Sequence, residues 1–108
     1  MTSFDDRQRA FETKFARDQE MQFKITARRN RLLGAWAAEQ MGLSPVEAES
    51  YARDVIRADF EEAGDEDVIR KLLGDLTSAG AEIDEAEIRA QIEHKTVEAR
   101  RHFIETTD

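Results

Sequence analysis

The sequence has 108 residues, with no cysteine and a single proline. The absence of cysteine excludes a disulfide framework, a zinc ribbon and a thiol nucleophile, and it is compatible with a reducing cytoplasm. No apolar run approaches the ~18 residues needed to span a bilayer. The first nine residues are polar and charged, without the apolar stretch of a secretory signal. We therefore expect the protein to stay in the compartment where it is made.

Sets of residues that could carry out catalysis are also missing. His94 and His102 are eight residues apart, too far for the one-turn spacing that brings two ligands to one metal ion. Glu98 lies four residues before His102, a spacing that favours a surface pair over a ligand pair. Neither a Gly-x-Gly-x-x-Gly motif nor a P-loop occurs. We expect a protein that is not an enzyme and that binds no cofactor or metal.

Charge is distributed unevenly along the chain, whose formal net charge is −8. Residues 1–31 carry eight basic and five acidic side chains, whereas residues 32–108 carry eight basic and nineteen acidic ones. The resulting net charges are +3 and −11. An acidic body repels phosphates over a screening length of about 10 Å, which disfavours binding to nucleic acid or to an anionic membrane. Composition therefore predicts a folded acidic body and a chemically different N-terminal segment, whose first part, residues 1–18, we call the arm.

Proline, glycine and capping residues divide the chain into four helices, which predicts an all-α fold with one core. Ser44 precedes Pro45 and lies three residues before Glu47, which is typical of a capping box. Asp65 and Asp84 are placed as the caps of the next two helices. The predicted body, residues 19–108, has helices at about 19–41, 45–63, 66–79 and 85–104. Its predicted core comprises Leu32, Leu33, Trp36, Tyr51, Val55, Ile56, Phe60, Ile69, Leu72, Leu73, Leu76, Ile88, Ile92 and Phe103.

The first helix can be long, because residues 2–41 contain no proline and Gly34 is their only glycine. Its second half supplies most of its core candidates, whereas Asp18, Gln22 and Arg29 interrupt the apolar sector in the middle. The arm offers only three phenylalanines for burial, too little to offset the cost of ordering it. We therefore expect the arm to be mobile in the free protein.

Two faces of this helix could bind a partner. Arg17, Lys24, Arg28 and Arg31 project within about 60° of one another at 100° per residue, and we call them the basic stripe. Phe4, Phe11 and Phe15 form an apolar stripe on another face of the arm. The pattern fits a solvated charged surface, a helix that docks into the groove of an acidic partner, or a membrane-surface helix. The acidic residues within the arm weaken the last interpretation.

The sequence resembles the zeta subunit family, small inhibitor proteins of the alphaproteobacterial F-type ATP synthase. The resemblance spans the chain, and its specificity rests on the first forty residues. It is carried by Met1-Thr2-Ser3-Phe4-Asp5-Asp6-Arg7, Ala10-Phe11-Glu12, Lys14-Phe15-Ala16, Ala27-Arg28-Arg29-Asn30-Arg31-Leu32-Leu33-Gly34 and Trp36-Ala37-Ala38-Glu39.

This resemblance implies a four-helix bundle whose arm enters a catalytic alpha/beta interface of the ATPase head, formed by alpha, beta and gamma subunits, and blocks rotation in the hydrolysis direction. It also implies a cytoplasmic location, at the cytoplasmic face of the inner membrane when bound, without insertion into the membrane. The alternative is a generic helical adaptor or regulator that binds another acidic protein through the arm. The expected partner-binding residues are Phe4, Asp5, Arg7, Arg9, Phe11, Lys14, Phe15, Arg17, Lys24 and Arg28.

The expected mobility of the arm is testable by hydrogen exchange. In the isolated protein, backbone amides before about residue 18 should exchange freely, because little burial protects them. Amides of the bundle should be protected in the same sample and serve as the internal control. Strong protection of the arm would instead mean a stable, docked helix.

Overall fold

A computed structural model describes the backbone of residues 3–59 and 64–106, and the side chains of residues 17–59 and 64–104. Within these ranges the chain forms four helices and no strand: α1 (Ser3–Gln40), α2 (Pro45–Ala58), α3 (Glu66–Ser78) and α4 (Glu85–Thr106). The predicted all-α bundle with a long first helix is confirmed. The mobility expected of the arm concerns residues whose side chains mostly lie outside the described part, and it stays a prediction.

Helix α1 organises the bundle with its second half. Its 38 residues correspond to about 57 Å at 1.5 Å per residue. It packs along α2 and α4, while α3 packs mainly on those two helices. Between residues 17 and 24 only Met21 is even half-buried, and full burial begins at Ile25. The bundle therefore holds α1 from about residue 25 onward.

Local capping rules set most helix starts as predicted. The Ser44 hydroxyl accepts the Glu47 N–H at 3.2 Å, and the Glu47 carboxylate accepts the Ser44 N–H at 3.0 Å. This second bond lowers the pKa of Glu47, because it stabilises the charged form. At α4, Asp84 Oδ1 accepts the Glu87 N–H at 2.8 Å. Gly42, at φ +71°, lets the chain leave α1 and reach the start of α2.

Two predicted features of the α2–α3 connection are wrong. Helix α2 ends at Ala58, not near residue 63, and Asp59 follows as its C-cap. Asp65 occupies the N-cap position of α3, yet its side chain makes no capping hydrogen bond. The carboxylates of Asp59 and Asp65 instead form ion pairs with Arg29 of α1. A tertiary contact is therefore present here in place of the expected capping hydrogen bond. At the other end of the chain, α4 extends two residues past the expected residue 104.

The core lies where the four helices meet. Of the predicted core, Leu33, Val55, Ile69, Leu72, Leu76, Ile88 and Ile92 are buried. Leu32, Trp36, Tyr51, Ile56, Leu73 and Phe103 are only half-buried, and Phe60 lies outside the described residues. Small side chains take central positions that were not on the predicted list, namely Ala37, Ala38, Ala52 and Ala99. The half-buried aromatic side chains of Trp36 and Tyr51 pack against the buried cluster at its rim.

A polar contact ties α2 to α3 at this rim. The Tyr51 hydroxyl donates to Asp75 Oδ2 at 2.7 Å, and Lys71 Nζ lies 3.1 Å from the same oxygen. Lys71 Nζ also lies 5.1 Å from the centroid of the Tyr51 ring. Partial burial, followed by the bond to Asp75, raises the pKa of Tyr51 well above its usual value. Tyr51 therefore remains a neutral hydrogen-bond donor.

The closest approach between α1 and α2 occurs at Gly34. A Cβ atom placed there would lie 2.5 Å from the Ala52 Cα and 3.0 Å from the Ala52 Cβ. Neither helix backbone has room for it, because Ala52 is itself buried. The crossing of the two helices therefore requires glycine at position 34.

Gly34→Ala and Gly74→Ala form a matched test of this crossing. Both positions lie inside helices, where alanine is favoured over glycine by roughly 1 kcal/mol. A Cβ at Gly74 would meet nothing within 4 Å, so Gly74→Ala should stabilise the protein by about 0.5 to 1 kcal/mol. Gly34→Ala should destabilise it by about 1 to 3 kcal/mol, because α2 must move away.

Denaturant unfolding followed by Trp36 fluorescence measures both effects. Equal stabilisation by the two substitutions would show that α1 and α2 do not cross at Gly34.

Candidate partner-binding surface

Seven of the expected partner-binding residues lie in the first 16 positions: Phe4, Asp5, Arg7, Arg9, Phe11, Lys14 and Phe15. Their backbone belongs to α1, and their side chains lie outside the described residues. Their role in binding remains a prediction from the sequence.

The other three expected residues differ in exposure. Arg17 and Lys24 are exposed, whereas Arg28 is half-buried. Lys24 Nζ lies 3.3 Å from Glu20 Oε1, with half or more of each side chain exposed. Such a pair adds little stability, so Lys24 remains available to another carboxylate. Arg31, the last member of the basic stripe, is exposed as well.

One polar atom of Arg28, its Nε, lies in an environment that is unusual for a charged side chain. Its Nε is buried and meets no hydrogen-bond acceptor in the described part of the chain. A buried donor without an acceptor loses its hydration and gains nothing in exchange. The backbone therefore holds Arg28 at the edge of the bundle with part of its guanidinium unsatisfied.

The next residue, Arg29, points into the bundle and is only 7% exposed. Its Nη1 lies 3.0 Å from Asp65 Oδ1, and its Nη2 lies 3.7 Å from Asp59 Oδ1. Its Nε and Nη2 donate to Asn30 Oδ1 at 3.1 and 2.9 Å. Asn30 is itself 1% exposed. Arg29 thus joins α1 to the end of α2 and the start of α3.

Sequence reasoning missed this role. It treated Arg29 as an interruption of an apolar sector, although a cation within such a sector is buried only where carboxylates can reach it. The acidic residues on both sides of Gly64 were the available signal, because a turn there places them at one end of the bundle. Arg29 is therefore a structural cation, distinct from the four residues of the basic stripe.

The described surface includes two open hollows lined by charged side chains. One, of about 340 Å³, is lined by Arg17, Asp18, Glu20, Met21 and Lys24. The other, of about 200 Å³, lies between α3 and α4 and is lined by Asp65, Ile69, Arg89, Ile92 and Glu93. Side chains of both signs line the two hollows, so each hollow can bind a charged group.

Across residues 17–59 and 64–104, no group of three or more His, Asp or Glu side chains is placed to hold a metal ion. Glu98, considered above as a partner of His102, lies 3.7 Å from Lys95. None of the helices, as far as they are described, combines the length and the apolar character needed to cross a membrane.

Comparisons with known proteins agree with the resemblance noted from the sequence. The family model of ATPase inhibitor subunit zeta matches residues 1–102. A protein with a solution NMR structure is 50% identical and superposes with a TM-score of 0.71. That alignment covers 79% of this chain and 96% of the other. No curated protein matches the sequence.

The structural role of Arg29 can be tested by comparing its substitution with that of its exposed neighbour Arg31. Arg29→Ala should destabilise the protein by about 1 to 3 kcal/mol, less than the 3 to 5 kcal/mol typical of a fully buried pair because the Asp65 side chain is partly exposed. Arg31→Ala should change stability by no more than about 0.5 kcal/mol. Urea unfolding of both variants measures the difference. A loss below 0.5 kcal/mol for Arg29→Ala would show that the ion pairs do not hold α1 in place.

Proposed function

Because the chain belongs to the ATPase inhibitor subunit zeta family, we propose that it inhibits ATP hydrolysis by the F-type ATP synthase through its N-terminal arm. Members of this family are ATPase inhibitor subunits, which are regulatory chains. The observation that carries the proposal is the extent of the family match, residues 1–102, because it includes both the arm and the bundle.

In this proposal the arm enters a catalytic alpha/beta interface of the ATPase head and blocks rotation in the hydrolysis direction. An arm that becomes ordered on binding loses conformational entropy, which burial of Phe4, Phe11 and Phe15 offsets. Closure of the interface then traps the helix. The exposure of α1 around residues 17–24 supports this mechanism, since a partner can surround the helix there without displacing α2 or α4.

The basic residues of α1 also support a contact between the arm and the ATPase head. The proposed contacts of Arg7, Arg9, Lys14 and Arg17 are with acidic surface of the alpha, beta and gamma subunits, and these contacts steer the arm during association. Lys24 and Arg28 continue the contact toward the bundle, and Asp5 lies at the start of the arm. The complex forms at the cytoplasmic face of the inner membrane, and no part of this chain inserts into the bilayer.

Deletion of residues 2–17 should abolish inhibition of ATP hydrolysis by the isolated ATPase head. The helical content and unfolding of the remaining bundle should barely change, because full burial starts only at Ile25. Steady-state hydrolysis titrated with the full-length and shortened chains gives the result. Equal inhibition by both chains would assign the inhibitory contact to the acidic helices of the bundle.

Phe11→Ala and Phe15→Ala should each weaken inhibition by about tenfold to a hundredfold. This range corresponds to roughly 1.5 to 3 kcal/mol for one fully buried ring. Val46→Ala is the matched control, because Val46 is an apolar side chain that is 79% exposed, at the start of α2. The half-inhibitory concentration of each variant is compared with that of the unsubstituted chain. An equal effect of all three substitutions would contradict a specific contact by the arm.

A further inference from the structure

Acidic residues are distributed around most of this protein, with one long gap. None of its 24 Asp and Glu residues lies between positions 21 and 38. The same stretch of α1 carries four cations, Lys24, Arg28, Arg29 and Arg31. The nearest carboxylates on α1 lie beyond the two ends of this segment. They are therefore too distant to neutralise the cations in its middle.

The fold separates these four cations into two groups. Arg29 turns inward and meets the carboxylates of Asp59 and Asp65. The other three lie on a different face of α1, where Arg28 and Arg31 form no ion pair with the described residues. Lys24 has only the exposed partner Glu20.

Several cations of α3 and α4 form ion pairs with carboxylates. Arg70 lies 2.6 Å from Asp67, Lys71 lies 3.1 Å from Asp75, and the Arg89 guanidinium lies 3.3 Å from Glu66. An acidic body readily supplies such carboxylates. The face of Lys24, Arg28 and Arg31, in contrast, lies in the stretch of α1 that contains no carboxylate.

We propose that Lys24, Arg28 and Arg31 form a docking surface for a carboxylate-rich helix face of the ATPase head. This surface adjoins the arm and belongs to the bundle, and its assignment to the head rests on the proposed function. The three positions follow the spacing i, i+4, i+7, which places them along about 10 Å of one face of α1. Carboxylates at the same spacing on a second helix lying alongside match all three cations.

Two further observations fit this occupant. The buried Arg28 Nε has no acceptor among the described residues, so the bundle leaves a donor of this guanidinium unused. The net charge of −11 on residues 32–108 repels an acidic partner elsewhere on the body. Docking through this face therefore orients the bundle while the arm enters its site.

Arg31→Glu in the full-length chain tests the surface, and Arg53→Glu is its matched control. Both arginines are exposed and lack an ion pair with the described residues. Arg53, however, lies on α2 with Glu49 four residues before it and Asp54 beside it. The measurement is the association rate constant with the isolated ATPase head at low and high salt, together with inhibition of ATP hydrolysis.

Arg31→Glu should slow association by about tenfold at low salt, with a smaller difference at high salt. Arg53→Glu should stay within about twofold of the unsubstituted chain, and both variants should unfold at the same temperature. No slowing by Arg31→Glu, or equal slowing by both substitutions, would overturn the docking surface.

The chain that lacks residues 2–17 separates this proposal from the function of the arm. If that chain fails to inhibit while Arg31→Glu associates normally, the docking surface is wrong and the inhibitory arm stands. If the unsubstituted chain neither associates with the head nor inhibits it, both proposals are overturned.

Discussion

The guanidinium of Arg29 fixes the relation of α1 to the rest of the bundle. It reaches Asp59 after α2 and Asp65 before α3, so three helices depend on one buried cation. Five residues further along α1, Gly34 brings the backbones of α1 and α2 together at Ala52. Together the ion pairs and the close crossing hold α1 firmly from about residue 25. They thereby set the direction in which its N-terminal half leaves the bundle.

Local sequence rules predicted the parts of the fold that neighbouring residues determine. Ser44 with Glu47, and Asp84 with the N–H of Glu87, form the expected caps because donor and acceptor are three residues apart. Apolar spacing identified the buried faces of α3 and the first half of α4, since these faces follow the helical period. The absence of proline across residues 2–41 correctly predicted one long helix.

Features that depend on contacts between distant segments were not predictable in the same way. Arg29 is buried where Asp59, after α2, and Asp65, before α3, bring carboxylates to it. Asn30 is buried beside it as the acceptor of two of its hydrogen bonds, and no spacing within α1 encodes either contact. In the same connection α2 ends before the predicted residue 63, and Asp65 pairs with Arg29 without forming the expected cap. In the partner-binding surface, the exposure of Arg17 and Lys24 agrees with a charged outer face. The partial burial of Arg28 depends on how the bundle covers its side chain, which helical periodicity does not determine.

A single helix therefore serves two purposes in this account, with its second half in the core and its first half offered to the ATPase head. Hydrogen exchange of the full-length chain, free and bound to the head, tests this division most directly. The account predicts that amides of residues 3–24 gain protection on binding, while amides around Leu33 and Leu72 stay as protected as in the free chain. Protection gained only in α3 and α4, with no change before residue 25, would contradict it.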